Sequence, residues 1–152
     1  MTSNNLASAV SVIRALLTAD FVTYQRLHAE LDAGQRRALS VLLSVAFNEA
    51  AVQHFGDNHN TAEIIEYVAE ARAAYPTVGQ AVSPEDAESV IRAALGEDHL
   101  IDAMDGYAFG AAQTAILVAL VRSDAPSAQE VDRFLAAAAD QADVYLRQRG
   151  LQ

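Results

Sequence analysis

Four histidines, His28, His54, His59 and His99, are the only imidazoles in the chain, and one pair of them sits among acids. His54, Asp57, His59 and Glu63 fall within ten residues and offer nitrogen and oxygen donors of the kind that hold a divalent cation. His54, Asp57 and His59 are the metal-ligand candidates. Their spacing is not that of a zincin helix, a di-iron bundle or a calcium loop. The run F-G-D-N-H-N also has a local explanation: Gly56 closes one helix, Asp57 and Asn58 form the turn, and Asn60 opens the next helix. No cofactor is expected.

Glu63, Glu66 and Glu70 recur at i, i+3 and i+7, which places three carboxylates on one helix face. General acid-base catalysis needs partners whose environments drive their pKa values apart, and three like charges on one outer face lack that asymmetry. The stripe reads instead as a solvated face and as a docking surface for a basic partner.

Polar residues also interrupt the apolar segments. Ser40, Ser44 and Asn48 repeat every four positions, Glu49 and Gln53 lie to one side, and Gln113 with Thr114 breaks a second apolar run. Buried polar groups need partners, so these imply a polar network between helices, a helix-helix interface, or a small pocket with Asn48, Glu49, Tyr107 and Gln113 as its candidate lining. Gly106 and Gly110 spell G-x-x-x-G, a spacing that lets helices approach closely within the fold or across a dimer. No phosphate-cradling glycine loop, nucleophile elbow or cysteine nucleophile is present.

The elements that carry these residues all read as helices, because apolar residues recur at three and four and no stretch alternates with period two. Leu6, Val10, Ile13 and Leu17 form the first seam, and Phe21, Tyr24, Leu27 and Leu31 a second after Asp20 as N-cap. Gly34 breaks the pattern. A long helix from Gln35 to Phe55 follows, with Leu39, Leu42, Leu43, Ala46, Phe47 and Ala50 on one face and Val41, Val45 and Val52 near the other, so burial on two sides is expected. Asn60 and Glu63 predict a capping box for a helix that Pro76 stops after Tyr75, with Ile64, Val68, Ala71 and Tyr75 on its inner side. Ser83 and Pro84 start the next helix, and Gly96 ends it. A short turn or helix near Asp98 to Met104 leads to an apolar helix from Tyr107 to Val121. The last helix opens with a second capping box, Ser127 and Glu130, and carries Val131, Leu135, Ala138, Ala142 and Tyr145 as its seam to Gly150.

S-V-I-R-A-L-L at Ser11 to Leu17 recurs as S-V-I-R-A-A-L at Ser89 to Leu95, an offset of about half the chain. The expected fold is all-α: a single domain over residues 1–152, a compact bundle of about six helices, with two similar three-helix halves as the arrangement the repeat would give.

With 152 residues, about half of them hydrophobic, and no cysteine, the chain can bury a core without disulfides. All ten basic residues are arginines. From Asp57 to Asp105 eleven acids face two arginines, a charge of −9 out of the whole chain's −10. Such a field repels phosphate backbones and anionic headgroups, so neither nucleic acid nor membrane is an expected partner. Met1 to Asn5 has no basic targeting region and Tyr107 to Val121 is shorter than the ~20 residues of a bilayer span, so a cytoplasmic location is expected. The functional expectation is a non-catalytic protein that works by contact, an adaptor, regulator or immunity-type inhibitor. It meets a basic protein partner through Glu63, Glu66 and Glu70, with a homodimer as one form it could take. The alternative is a small-molecule sensor or enzyme with a polar pocket between the two apolar central helices.

Overall fold

Short polar side chains at the helix starts and residues with positive φ at several helix ends divide the chain into seven α-helices among the residues described, 4–56, 59–75 and 82–150 of this computed structural model. They are α1 (Asn4–Leu17), α2 (Phe21–Ala29), α3 (Ala33–Phe55), α4 (Thr61–Ala74), α5 (Pro84–Ala94), α6 (Gly106–Arg122) and α7 (Ala128–Gln148), with a 3-10 turn at Asp98–Ile101 before α6. No strand occurs among the described residues, so the architecture is all-α. Pro76, read as the stop after Tyr75, lies outside the described residues, as do Asp57 and Asn58.

The caps explain the boundaries. Asp20 accepts a hydrogen bond from the Thr23 amide at 3.2 Å, Asn60 from the Glu63 amide at 2.9 Å, and Asp105 from the Ala108 amide at 2.8 Å. Ser127 and Glu130 bond reciprocally, each side chain accepting the other's backbone amide at 3.1 Å, which is the expected capping box. At Asn60 only the first arm of that box forms, and the Glu63 carboxylate meets the Asn60 side-chain amide at 3.4 Å.

The start of α3 differs from the sequence expectation. Asp32 and Gln35 make a reciprocal cap, both bonds 2.8 Å, so the helix begins at Ala33 and Gly34 lies inside its first turn. Gly34 is there for proximity: a Cβ at this position would come within 2.9 Å of the Asn5 side chain on α1. Gln35 completes the junction by donating to Ser8 Oγ at 3.1 Å.

These helices group into two compact units. One comprises Met1–Ala46 with Asp124–Gln152, in which α1 packs against both α2 and α7. Its core is built from Leu6, Val12, Ile13, Leu16 and Leu17 of α1, Leu42 of α3, and Val131, Leu135, Ala138, Ala142 and Leu146 of α7. Tyr145, expected in the α7 seam, is 39% exposed and lies under the Arg149 guanidinium instead, with Leu146 taking the buried position. Arg14 of α1 donates to Asp132 of α7 at 2.7 Å.

The other unit is Phe47–Ser123, in which α5 packs against α4, α6 and the 3-10 turn. Phe47, Ile64, Val68, Val90, Ile91, Ile116, Leu117 and Leu120 form its core. The repeated seven-residue segments thus occupy like positions, one in α1 and one in α5. Each lies in the helix that packs against several others in its unit, with its valine and isoleucine buried and its arginine in an ion pair. The units do not follow the two sequential halves of the chain, because α7 belongs with α1.

Two-sided burial of α3 is only partly met. Ala38, Leu42, Ala46, Phe47, Ala50 and Ala51 are buried along one stripe, whereas Val41 and Val45 are half-buried and Val52 is 47% exposed.

Candidate functional site

The acidic charge belongs to one unit. Phe47–Ser123 holds twelve carboxylates against three arginines, a charge of −9, and the rest of the chain carries eight against seven. The residues expected to use that charge, Glu63, Glu66 and Glu70, are all exposed on α4, while Ile64, Val68 and Ala71 anchor the opposite face of the same helix. Among the described residues the ion pairs are Arg14–Asp132, Arg26–Glu30, Arg92–Glu97 and Arg147–Asp143, so the three glutamates have no basic side chain neutralising them.

A feature not anticipated from the sequence lies beside them. The last turn of α3 brings His54 and Phe55 against Tyr67 of α4, three rings in mutual contact. His54 and Phe55 have centroids 4.8 Å apart, His54 and Tyr67 4.8 Å, and Phe55 and Tyr67 5.4 Å with nearly perpendicular planes. These rings and Glu63, Glu66 and Glu70 together line an open cleft of about 250 Å³. Gly56 makes the arrangement possible. With φ +66 it ends α3 in the left-handed region, its amide bonded to Val52 O at 2.8 Å, and α4 starts at Thr61 after Asn60 as N-cap. His59 Nδ1 lies 3.1 Å from the Gly56 carbonyl.

The metal-ligand candidates are placed as follows. His54 belongs to the aromatic cluster, His59 meets a backbone carbonyl, and Asp57 lies outside the described residues. Among the described residues no group of three or more histidine, aspartate or glutamate side chains converges as a metal would need.

The four residues proposed to line a polar pocket do not share an environment. Gln113 is buried in α6, Tyr107 is 88% exposed at the start of the same helix, and Asn48 is exposed on α3. Glu49 accepts a hydrogen bond from Gln53 at 2.9 Å, one turn along its own helix. Thr114 likewise satisfies its hydroxyl locally, donating to Gly110 O at 2.8 Å. Ser40 and Asn48 face solvent, whereas Ser44 between them is half-buried. Within the chain the G-x-x-x-G pair marks no close helix contact: among the described residues, the helix's own neighbouring backbone aside, nothing lies within 4 Å of where a Cβ on Gly106 or Gly110 would sit.

A second charged feature was also missed. Arg92 donates from Nε and Nη2 to the two oxygens of Glu97, both at 2.8 Å, across the turn that ends α5. Glu97 is held below its ordinary carboxylate range chiefly by that hydrogen bonding, with the charges of Arg92, His99 and His59 adding to it. Gly96, at φ +123, lets the Glu97 amide reach Arg92 O at 3.0 Å, so backbone and side chain close the same turn.

No described helix is long and apolar enough to cross a membrane. Compared with known proteins, the chain matches no protein-family model, no curated protein and no solved structure.

Proposed function

We propose that this chain is a non-catalytic cytoplasmic protein that acts by contact, as an adaptor, regulator or immunity-type inhibitor, and that it meets a basic protein partner through the α4 face of Glu63, Glu66 and Glu70. The supporting observation is that these carboxylates stand exposed along two turns, carry no counter-charge among the described residues, and belong to a unit whose charge is −9. A concentrated field of one sign speeds encounter with an oppositely charged partner and disfavours like-charged ones. The cleft beside them is smaller than the roughly 300–1,000 Å³ of small-molecule pockets, which favours part of a larger partner over a whole metabolite.

The test is charge reversal at all three positions, Glu63→Lys, Glu66→Lys and Glu70→Lys, followed by capture of binding proteins from lysate at increasing salt. The wild-type chain should retain a basic partner that salt displaces, and the reversed chain should lose it. Recovery unchanged by both the reversal and the salt would reject this surface.

A further inference from the structure

Charge alone attracts arginine and lysine alike, but the cleft beside the glutamates has an aromatic floor, and the two cations differ in how they meet an aromatic ring. We infer that the cleft receives an arginine side chain of the basic partner, with Glu63, Glu66 and Glu70 supplying the attraction and His54, Phe55 and Tyr67 supplying the surface against which the guanidinium lies. The inference rests on the docking reading given above and adds the chemistry of the guest.

The geometry carries it in two independent ways. First, the ring cluster joins two helices, with His54 in contact with both Phe55 and Tyr67, so the floor is held in place before a guest arrives. A preformed site loses less freedom on binding. His54 is exposed and Phe55 and Tyr67 are half-buried, which leaves ring surface available to the cleft. Second, the rim is anionic, and among the described residues no ion pair occupies it. Guanidinium is planar and weakly hydrated, stacks on aromatic faces and offers several N–H donors to carboxylates. Ammonium is compact and strongly hydrated and gains less from a ring. A volume of about 250 Å³ open to solvent accommodates the end of one side chain and lets the rest of the partner run over the surface.

Two fluorescein-labelled peptides of equal length and charge, one with arginine and one with lysine at alternate positions between glycines, separate the two parts of this account by fluorescence anisotropy. The wild-type chain should bind the arginine peptide about three-fold more tightly than the lysine peptide. His54→Leu and Tyr67→Leu should each bring the arginine peptide toward the lysine value while leaving the lysine peptide unchanged. The triple variant Glu63→Gln, Glu66→Gln, Glu70→Gln should weaken both. Circular dichroism verifies that each variant stays helical, and the exposed His54 carries the test if the Tyr67 variant unfolds. Equal binding of the two peptides, or an arginine preference that survives the leucine variants, overturns the aromatic floor and leaves the acidic docking face standing. Peptide binding that the triple variant does not weaken, or no binding to the wild-type chain, overturns the docking face and this inference with it.

Discussion

The rings of His54 and Tyr67 lie 4.8 Å apart at an interplanar angle of 56°, which ties the last turn of α3 to the second turn of α4. Aromatic pairs of this kind contribute about 0.5–1.5 kcal/mol beyond the area they bury. A double-mutant cycle with His54→Ala and Tyr67→Ala, followed by urea denaturation, should give a coupling energy of about 1 kcal/mol. Additive single-mutant effects would mean that the contact has no energetic weight and that the cleft floor is not fixed.

Ser127→Ala removes one arm of the reciprocal cap that starts α7, and the Ser127 and Glu130 bonds are both 3.1 Å. The loss should be about 1 kcal/mol, read as a lower denaturation midpoint at unchanged slope. Glu130 is held below its ordinary range first by the Ser127 backbone amide, a bond that Ser127→Ala keeps, so both chains should still lose that arm's contribution in acid as the carboxylate protonates. An effect near zero at neutral pH would show that the cap contributes nothing.

Ala19 is a non-glycine residue at φ +61, and it closes α1 with two backbone bonds, Ala19 to Leu16 O at 3.2 Å and Asp20 to Ala15 O at 2.9 Å. The left-handed region costs an L-residue about 1–2 kcal/mol, and glycine's greater freedom in the unfolded chain offsets part of the relief. Ala19→Gly should therefore stabilise the chain by up to about 1 kcal/mol. Destabilisation measured by the same denaturation assay would contradict this backbone assignment.

Glu97 provides the pH prediction. Its carboxyl is depressed in the folded chain, so its contribution is present above the unfolded value and is lost as pH falls through the folded one. The melting-temperature difference between wild type and Glu97→Gln should be largest near neutrality and should close as pH falls below 4.5. A difference that widens on acidification would reverse the sign and refute the Arg92–Glu97 pairing as its source.

Local chemistry made most helices legible in the sequence. Ser127 with Glu130, Ser83 before Pro84, and Asn60 three residues before Glu63 each name a helix start, because the cap is satisfied within four residues. The start of α3 was misread because Gly34 looks like a break, whereas a first-turn glycine beside the Asp32 and Gln35 cap is tolerated and lets Asn5 approach. The glutamate stripe was legible from its spacing alone. Its aromatic neighbours were not, since His54 and Phe55 meet Tyr67 only once α3 and α4 fold back across Gly56. The different settings of two pocket candidates were hidden for a related reason: periodicity cannot tell that Tyr107 faces water while Gln113, six residues on, is buried.

The central claim is that α4 is the face that meets a basic protein. A photo-reactive benzoyl-phenylalanine placed at Glu66, and in a control chain at Gln141 on the exposed side of α7, tests it by contact and not by affinity. The account predicts a discrete cross-linked adduct with a basic protein from the Glu66 position and none from Gln141. An adduct from both positions alike, or from Gln141 alone, would contradict it.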